Sequence, residues 1–68
     1  MLNQIEGLAA QQTALSIQLE LTEEELTNQQ TLFDRGLAQA AKLLDLKRAA
    51  AQLHGQIGDL TARTAQAS

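Results

Sequence analysis

Few residues in this chain have side chains suited to chemistry. His54 is the single histidine among 68 residues, and cysteine is absent. An imidazole that catalyses or binds a metal needs fellow ligands or a group to orient it. On a helix the neighbours within reach stand three and four positions away, and here they are Ala50, Ala51, Ile57 and Gly58. None of these can ligate a metal or hold a ring, so His54 reads as a solvated flank residue beside Leu53. Glu20, Glu23, Glu24 and Glu25 form an acidic cluster. A cation needs an oxygen cage, and a straight helix points successive carboxylates in different directions. That cluster reads as a solvated face. No serine or threonine has a base in a plausible triad, and Gly36 stands alone rather than in a phosphate-cradling loop. The sequence therefore offers no catalytic residue, no cofactor-binding residue and no metal ligand, and it does not read as an enzyme.

The elements that would carry any function are long helices. Ala, Leu, Gln and Glu dominate, and all are good helix formers. Phe33 is the one aromatic residue, and there is no proline, tryptophan or tyrosine. A small globular centre would need more bulk than this. At 68 residues a single core is marginal, and without cysteine no disulfide can reinforce it. The support expected is oligomerisation or membership of a longer chain. Helical patterning runs to both ends without a cap or a stop, which fits a piece of a larger protein. The formal net charge of −3 argues against non-specific nucleic-acid binding, which needs a basic face. No apolar run approaches the ~20 residues that span a bilayer. Basic residues are too few for a membrane-surface helix. Met1 is not followed by the basic and apolar segments of a signal peptide.

Apolar residues recur in alternating steps of three and four, the heptad signature of a coiled coil. The first seam runs through Ile5, Leu8, Gln12, Leu15, Leu19, Thr22, Leu26, Gln29 and Phe33. Its polar members Gln12, Thr22 and Gln29 cost stability and help to fix register. The second seam is Leu43, Leu46, Ala50, Leu53, Ile57, Leu60, Thr64 and Ala67. Between them lies Gly36, which lacks a Cβ and suits a left-handed helix-ending position. The expected fold is all-α, a two-helix antiparallel coiled-coil hairpin. Helix 1 covers about 2–33, the turn about 34–38 and helix 2 about 39–66. At 1.5 Å per residue the rod would be roughly 45 Å long. Leu26 should meet Leu46 or Ala50, Leu19 should meet Leu53 or Ile57, and Leu15 should meet Ile57 or Leu60. The run Glu23 to Glu25 is expected opposite Lys47 and Arg48.

One hairpin leaves apolar surface over. Ala38, Ala41 and Ala49 line one side of helix 2, with Ala40 and Ala51 on another. Leu2, Ile17, Leu21, Leu32 and Leu44 also fall off the seams. Small flank residues let helices approach closely, so side-by-side association with other hairpins is expected; the alternative reading is that alanine stands there simply as a good helix former. Gly7, Gly55 and Gly58 sit inside helices, each at a cost of about 1 kcal/mol relative to alanine. They read either as tolerated weak points or, at Gly55 and Gly58, as sites of close backbone approach.

The segment Leu32-Phe33-Asp34-Arg35-Gly36-Leu37-Ala38-Gln39, followed by Leu43, resembles the hairpin tip of periplasmic membrane fusion proteins. These are adaptor subunits of bacterial type I secretion systems and related tripartite efflux pumps. Leu53-His54-Gly55-Gln56-Ile57-Gly58-Asp59-Leu60 is similar to the returning helix of the type I secretion branch, which serves haemolysins, proteases and lipases. The resemblance implies an adaptor anchored in the inner membrane beside an ABC transporter, with its hairpin in the periplasm. It implies sister hairpins, usually six, assembled as a barrel or funnel. It also implies that the tip engages an outer-membrane channel of the TolC type, through Leu32, Phe33, Arg35, Gly36 and Leu37. Family tips often carry Arg, then Leu four residues later and Ser seven after that. The corresponding positions here are Asn28, Leu32 and Gln39, of which Leu32 matches; Gln39 is a poorer helix N-cap than Ser. No cofactor and no nucleic acid is implied. The alternatives are a generic oligomerisation coiled coil without a channel partner, and a straightened helix that pairs with a second chain, since glycine inside a helix costs only ~1 kcal/mol.

Overall fold

The computed structural model describes residues 2–67. It contains α1, Leu2–Asp34, and α2, Ala40–Ala67, joined by residues 35–39. The helices fold back on each other into a rod of 52 × 14 × 11 Å. That length matches 33 residues of α1 at 1.5 Å each. At the open end Gln4 and Leu8 of α1 lie beside Arg63, Gln66 and Ala67 of α2. The chain is thus an all-α hairpin paired over its length, not a straight helix.

The seams pack as the heptad spacing requires. Every residue named in the second seam is buried or half-buried, and so is every residue of the first except Phe33. The most enclosed are Leu43, Leu46, Ala50 and Leu60, at 7%, 7%, 8% and 3% exposure. All four belong to α2. Leu15, Leu19 and Leu26, on the seam of α1, are only half-buried. Two helices can cover a seam only from one side, so part of each α1 side chain stays in contact with water. Gln12, Thr22 and Gln29 occupy seam positions at the same half-buried depth. There a side-chain amide or hydroxyl keeps access to solvent and avoids the cost of an unpaired buried polar group.

Phe33 departs from the expected seam and is 39% exposed. The reason lies in how α1 ends. The Leu37 amide returns to the Leu32 carbonyl, which folds the connecting residues over Leu32 rather than over Phe33. Leu32 and Ala38 are half-buried in consequence.

The expected cross-helix pairing of Glu23 to Glu25 with Lys47 and Arg48 does not form. Arg48 pairs instead with Asp45 on its own helix at 3.8 Å, and Arg63 with Asp59 at 3.0 Å. With the seam residues labelled a and d, Lys47 lies at e and Arg48 at f. Glu23, Glu24 and Glu25 lie at e, f and g. In an antiparallel pair the e edge of one helix runs beside the e edge of the other, so only Glu23 and Lys47 share a flank. On that flank the residue level with Glu23 is His54, whose Nε2 lies 3.8 Å from Glu23 Oε1. Among the off-seam residues, Ile17, Leu21 and Leu44 are half or more exposed; the side chain of Leu2 lies outside the described residues.

Burial sets the expected response to truncation. Leu60→Ala removes an enclosed side chain and should cost about 2–3 kcal/mol, whereas Leu44→Ala should fall within about 0.5 kcal/mol of the parent. Urea unfolding followed by circular dichroism measures both, and equal effects would refute the assigned seam.

Candidate functional site

The tip is built by a defined helix ending. Gly36 has φ +75°, the only positive φ among the described residues. Its amide donates to the Phe33 carbonyl at 2.9 Å, and the next amide, of Leu37, donates to the Leu32 carbonyl at 2.8 Å. These two bonds, six-to-one and five-to-two around a left-handed glycine, are the Schellman closure. The Arg35 amide is shared between the carbonyls of Thr31 and Leu32, both at 3.2 Å. The carbonyls of Thr31, Leu32 and Phe33 are therefore satisfied within the turn itself. The side-chain amide of Gln30 donates to Asp34 Oδ1 at 2.9 Å and braces the final turn. On the return side the Gln39 carbonyl accepts from the Leu43 amide at 3.4 Å, which opens α2.

This closure determines what the tip presents. Leu37 is 65% exposed, Phe33 is 39% exposed, and Arg35 and Gly36 are also exposed. Leu32 is half-buried, and its carbonyl anchors the turn, so its contribution to tip shape is in large part structural. Of the three positions taken from the family pattern, Asn28 and Gln39 are exposed and Leu32 is not fully so. The tip is a small apolar knob, Phe33 and Leu37, with one guanidinium beside it.

Among the described residues, chemistry-bearing side chains elsewhere stay dispersed. Among the described residues no group of three or more His, Asp and Glu comes together as a metal cage. An open trough runs along α1 past Ser16, Glu20, Glu23, Glu24 and Thr27, and it faces solvent. His54 is a solvated flank residue, with its side chain 64% exposed, but it does have a neighbour. Sequence reasoning looked along α2 for a partner and missed Glu23 across the hairpin. The signal was present: Glu23 and His54 both hold the e position of their heptads, the flank that an antiparallel pair brings edge to edge. No described helix is long and apolar enough to cross a membrane.

The comparison with known families decides the identity of this geometry. The family described as "AprE, long alpha-helical hairpin" matches residues 2–68. This chain belongs to that family. The AprE-type hairpin is also 40% identical over 65 residues to a protein described as type I secretion system membrane fusion protein PrsE, from Rhizobium meliloti (strain 1021). That alignment takes in 96% of this chain and 15% of the relative. The chain therefore spans a small part of the relative's length. No solved structure matches.

Glycine 36 and the helical glycines should respond in opposite directions. Gly36→Ala places a Cβ on a left-handed backbone and should destabilise the AprE-type hairpin by about 1–2 kcal/mol. Gly7→Ala, in a helix with nothing within 4 Å of the added Cβ, should stabilise it by up to about 1 kcal/mol. Thermal melts of the two variants test this, and a neutral Gly36→Ala would show that the closure does not depend on the left-handed residue.

Proposed function

We propose that this chain is the periplasmic hairpin of a type I secretion membrane fusion protein, a structural adaptor module rather than an enzyme. Membership of the AprE hairpin family and the similarity to a type I secretion membrane fusion protein support the reading. The observation that carries it further is the tip. A closed, self-satisfied turn holds Phe33 and Leu37 out in water at the end of a 52 Å rod. Exposed apolar side chains on a rigid end serve well as anchors in a partner's pocket, because little order is lost on docking.

In this reading the rest of the protein lies in sequence beyond this module. It is anchored in the inner membrane and contacts an ABC transporter. Sister hairpins, six by analogy with the adaptor family, stand side by side in the periplasm. Their tips meet an outer-membrane channel of the TolC type and complete a conduit for the exported protein. The rod does mechanical work: seam packing keeps it straight, its length spans part of the periplasm, and Leu32, Phe33, Arg35, Gly36 and Leu37 form the contact surface. Asn28 and Gln39, on the exposed shoulders of the tip, stand where the family places further contacts.

Leu37→Asp in the full-length adaptor separates docking from folding. Leu37 is mostly exposed, so the hairpin should retain its helicity by circular dichroism. Export of the cargo into the medium should fall at least tenfold. Undiminished export by a helical Leu37→Asp protein would rule the tip out as the docking surface.

A further inference from the structure

The hairpin carries two outer faces that nothing inside it explains. On α1, opposite the seam, Ala10, Ala14, Ile17 and Leu21 follow each other in steps of four, three and four, and all are exposed. Ile17 and Leu21 are 52% and 55% exposed, large apolar side chains standing in water one turn apart. The next residue on this stripe is Glu24. On α2, also facing away from the seam, Ala51, Gly55, Gly58 and Ala62 follow in the same kind of steps, and all are exposed. The residue before them on this stripe is Arg48.

The two glycines are the informative pair. Each lies inside a helix without a positive φ, where glycine costs about 1 kcal/mol relative to alanine. A Cβ at either would meet nothing within 4 Å, so the hairpin itself gains nothing from its absence. A missing side chain on an outward face creates a shallow hole, and it is useful when another helix approaches there.

The level of these features along the rod points to what approaches. The Glu23–His54 contact fixes which residues of α1 and α2 stand at the same height. Counting outward from it, Ile17 stands within about one helical turn of Gly58, and Leu21 within about one turn of Gly55. Glu24 and Arg48, the charges at the end of each stripe, have opposite sign and stand within about two turns of each other on the same count. A second copy placed alongside, pointing the same way, would thus set its large residues against the first copy's holes and its carboxylate near the first copy's guanidinium.

We propose that the α1 face at Ile17 and Leu21 of one hairpin packs into the α2 face at Gly55 and Gly58 of a second copy, side by side and tips level. This rests on the adaptor reading above and specifies its lateral contact. The contact is heterologous, since each copy uses two different faces on nearly opposite sides of the rod, and such contacts build rings or rows rather than closed pairs. Glu24 and Arg48 contribute mainly to orientation, because exposed pairs add little affinity.

Cysteine cross-linking tests the arrangement: this chain contributes no native cysteine, and any cysteine elsewhere in the adaptor is first replaced by serine. In the full-length adaptor, the double variant Leu21→Cys with Gly55→Cys should give a ladder of dimers, trimers and higher species under mild oxidation. Each single variant should stay largely monomeric on the same gel. Strong dimers from Leu21→Cys alone would mean an α1-to-α1 pairing and would overturn the proposal, as would the absence of a ladder from the double variant. Gly58→Leu gives a second measure. It should leave or raise helicity while reducing self-association at least tenfold by sedimentation; a helical Gly58→Leu protein that associates normally also overturns the proposal. Failure in these assays with export intact, and export still lost in Leu37→Asp, would reject this lateral contact and leave the adaptor reading standing.

Discussion

The rod depends on one backbone conformation. Two helices with matching apolar edges can zip together only if the chain reverses between them within a few residues, and it must do so without leaving helix-terminal carbonyls unpaired. Gly36 at φ +75° allows both. Its own amide and that of Leu37 return to the last turn of α1, and the chain leaves at the angle that lets Leu43 and Leu46 fall onto the seam of α1. The reversal also fixes register. Once its geometry is set, each residue of α1 has a determined height on α2, and the leucines of both stripes arrive together.

The same constraint explains why the tip, rather than the shaft, is the chemically distinctive end. Along the shaft, most leucines pack in the seam, while Ile17, Leu21 and Leu44 stay exposed on the outer faces. At the reversal the seam has no second helix to close on. Closing the helix over Leu32 leaves Phe33 and Leu37 outside, so the structure that stabilises the turn also produces an apolar knob. Shape and exposed apolar surface, rather than reactive groups, are what such an end can offer a partner. A two-helix seam is covered on one side only, and among the described residues only Leu43, Leu46, Ala50 and Leu60 are buried.

Much of this was legible in the linear sequence, because its signals are local and periodic. The three-four spacing fixes which residues of each helix share an edge, whatever the helix packs against. Leu43, Leu46, Ala50 and Leu60 were therefore identifiable as core residues, and the special role of Gly36 follows from glycine's freedom at positive φ. The tip residues could be named for the same reason, since they surround the one glycine between two unbroken patterns.

What the sequence left open depends on angles and heights between the helices. Charge sign alone suggested that Glu23 to Glu25 would meet Lys47 and Arg48, but an edge-to-edge arrangement brings Glu23 to His54 and sends Arg48 to Asp45. Periodicity placed Phe33 on the seam, and the hydrogen bonds of the helix ending moved it off. Sequence by itself determined that there are two amphipathic helices, where they break and which edges are apolar, because those properties repeat every turn along a single element. Only the tertiary structure decided which flank residues are neighbours, which side of the last turn is covered, and that Gly55 and Gly58 are open outward. Those depend on the relative rotation and level of two helices, which no single helix encodes.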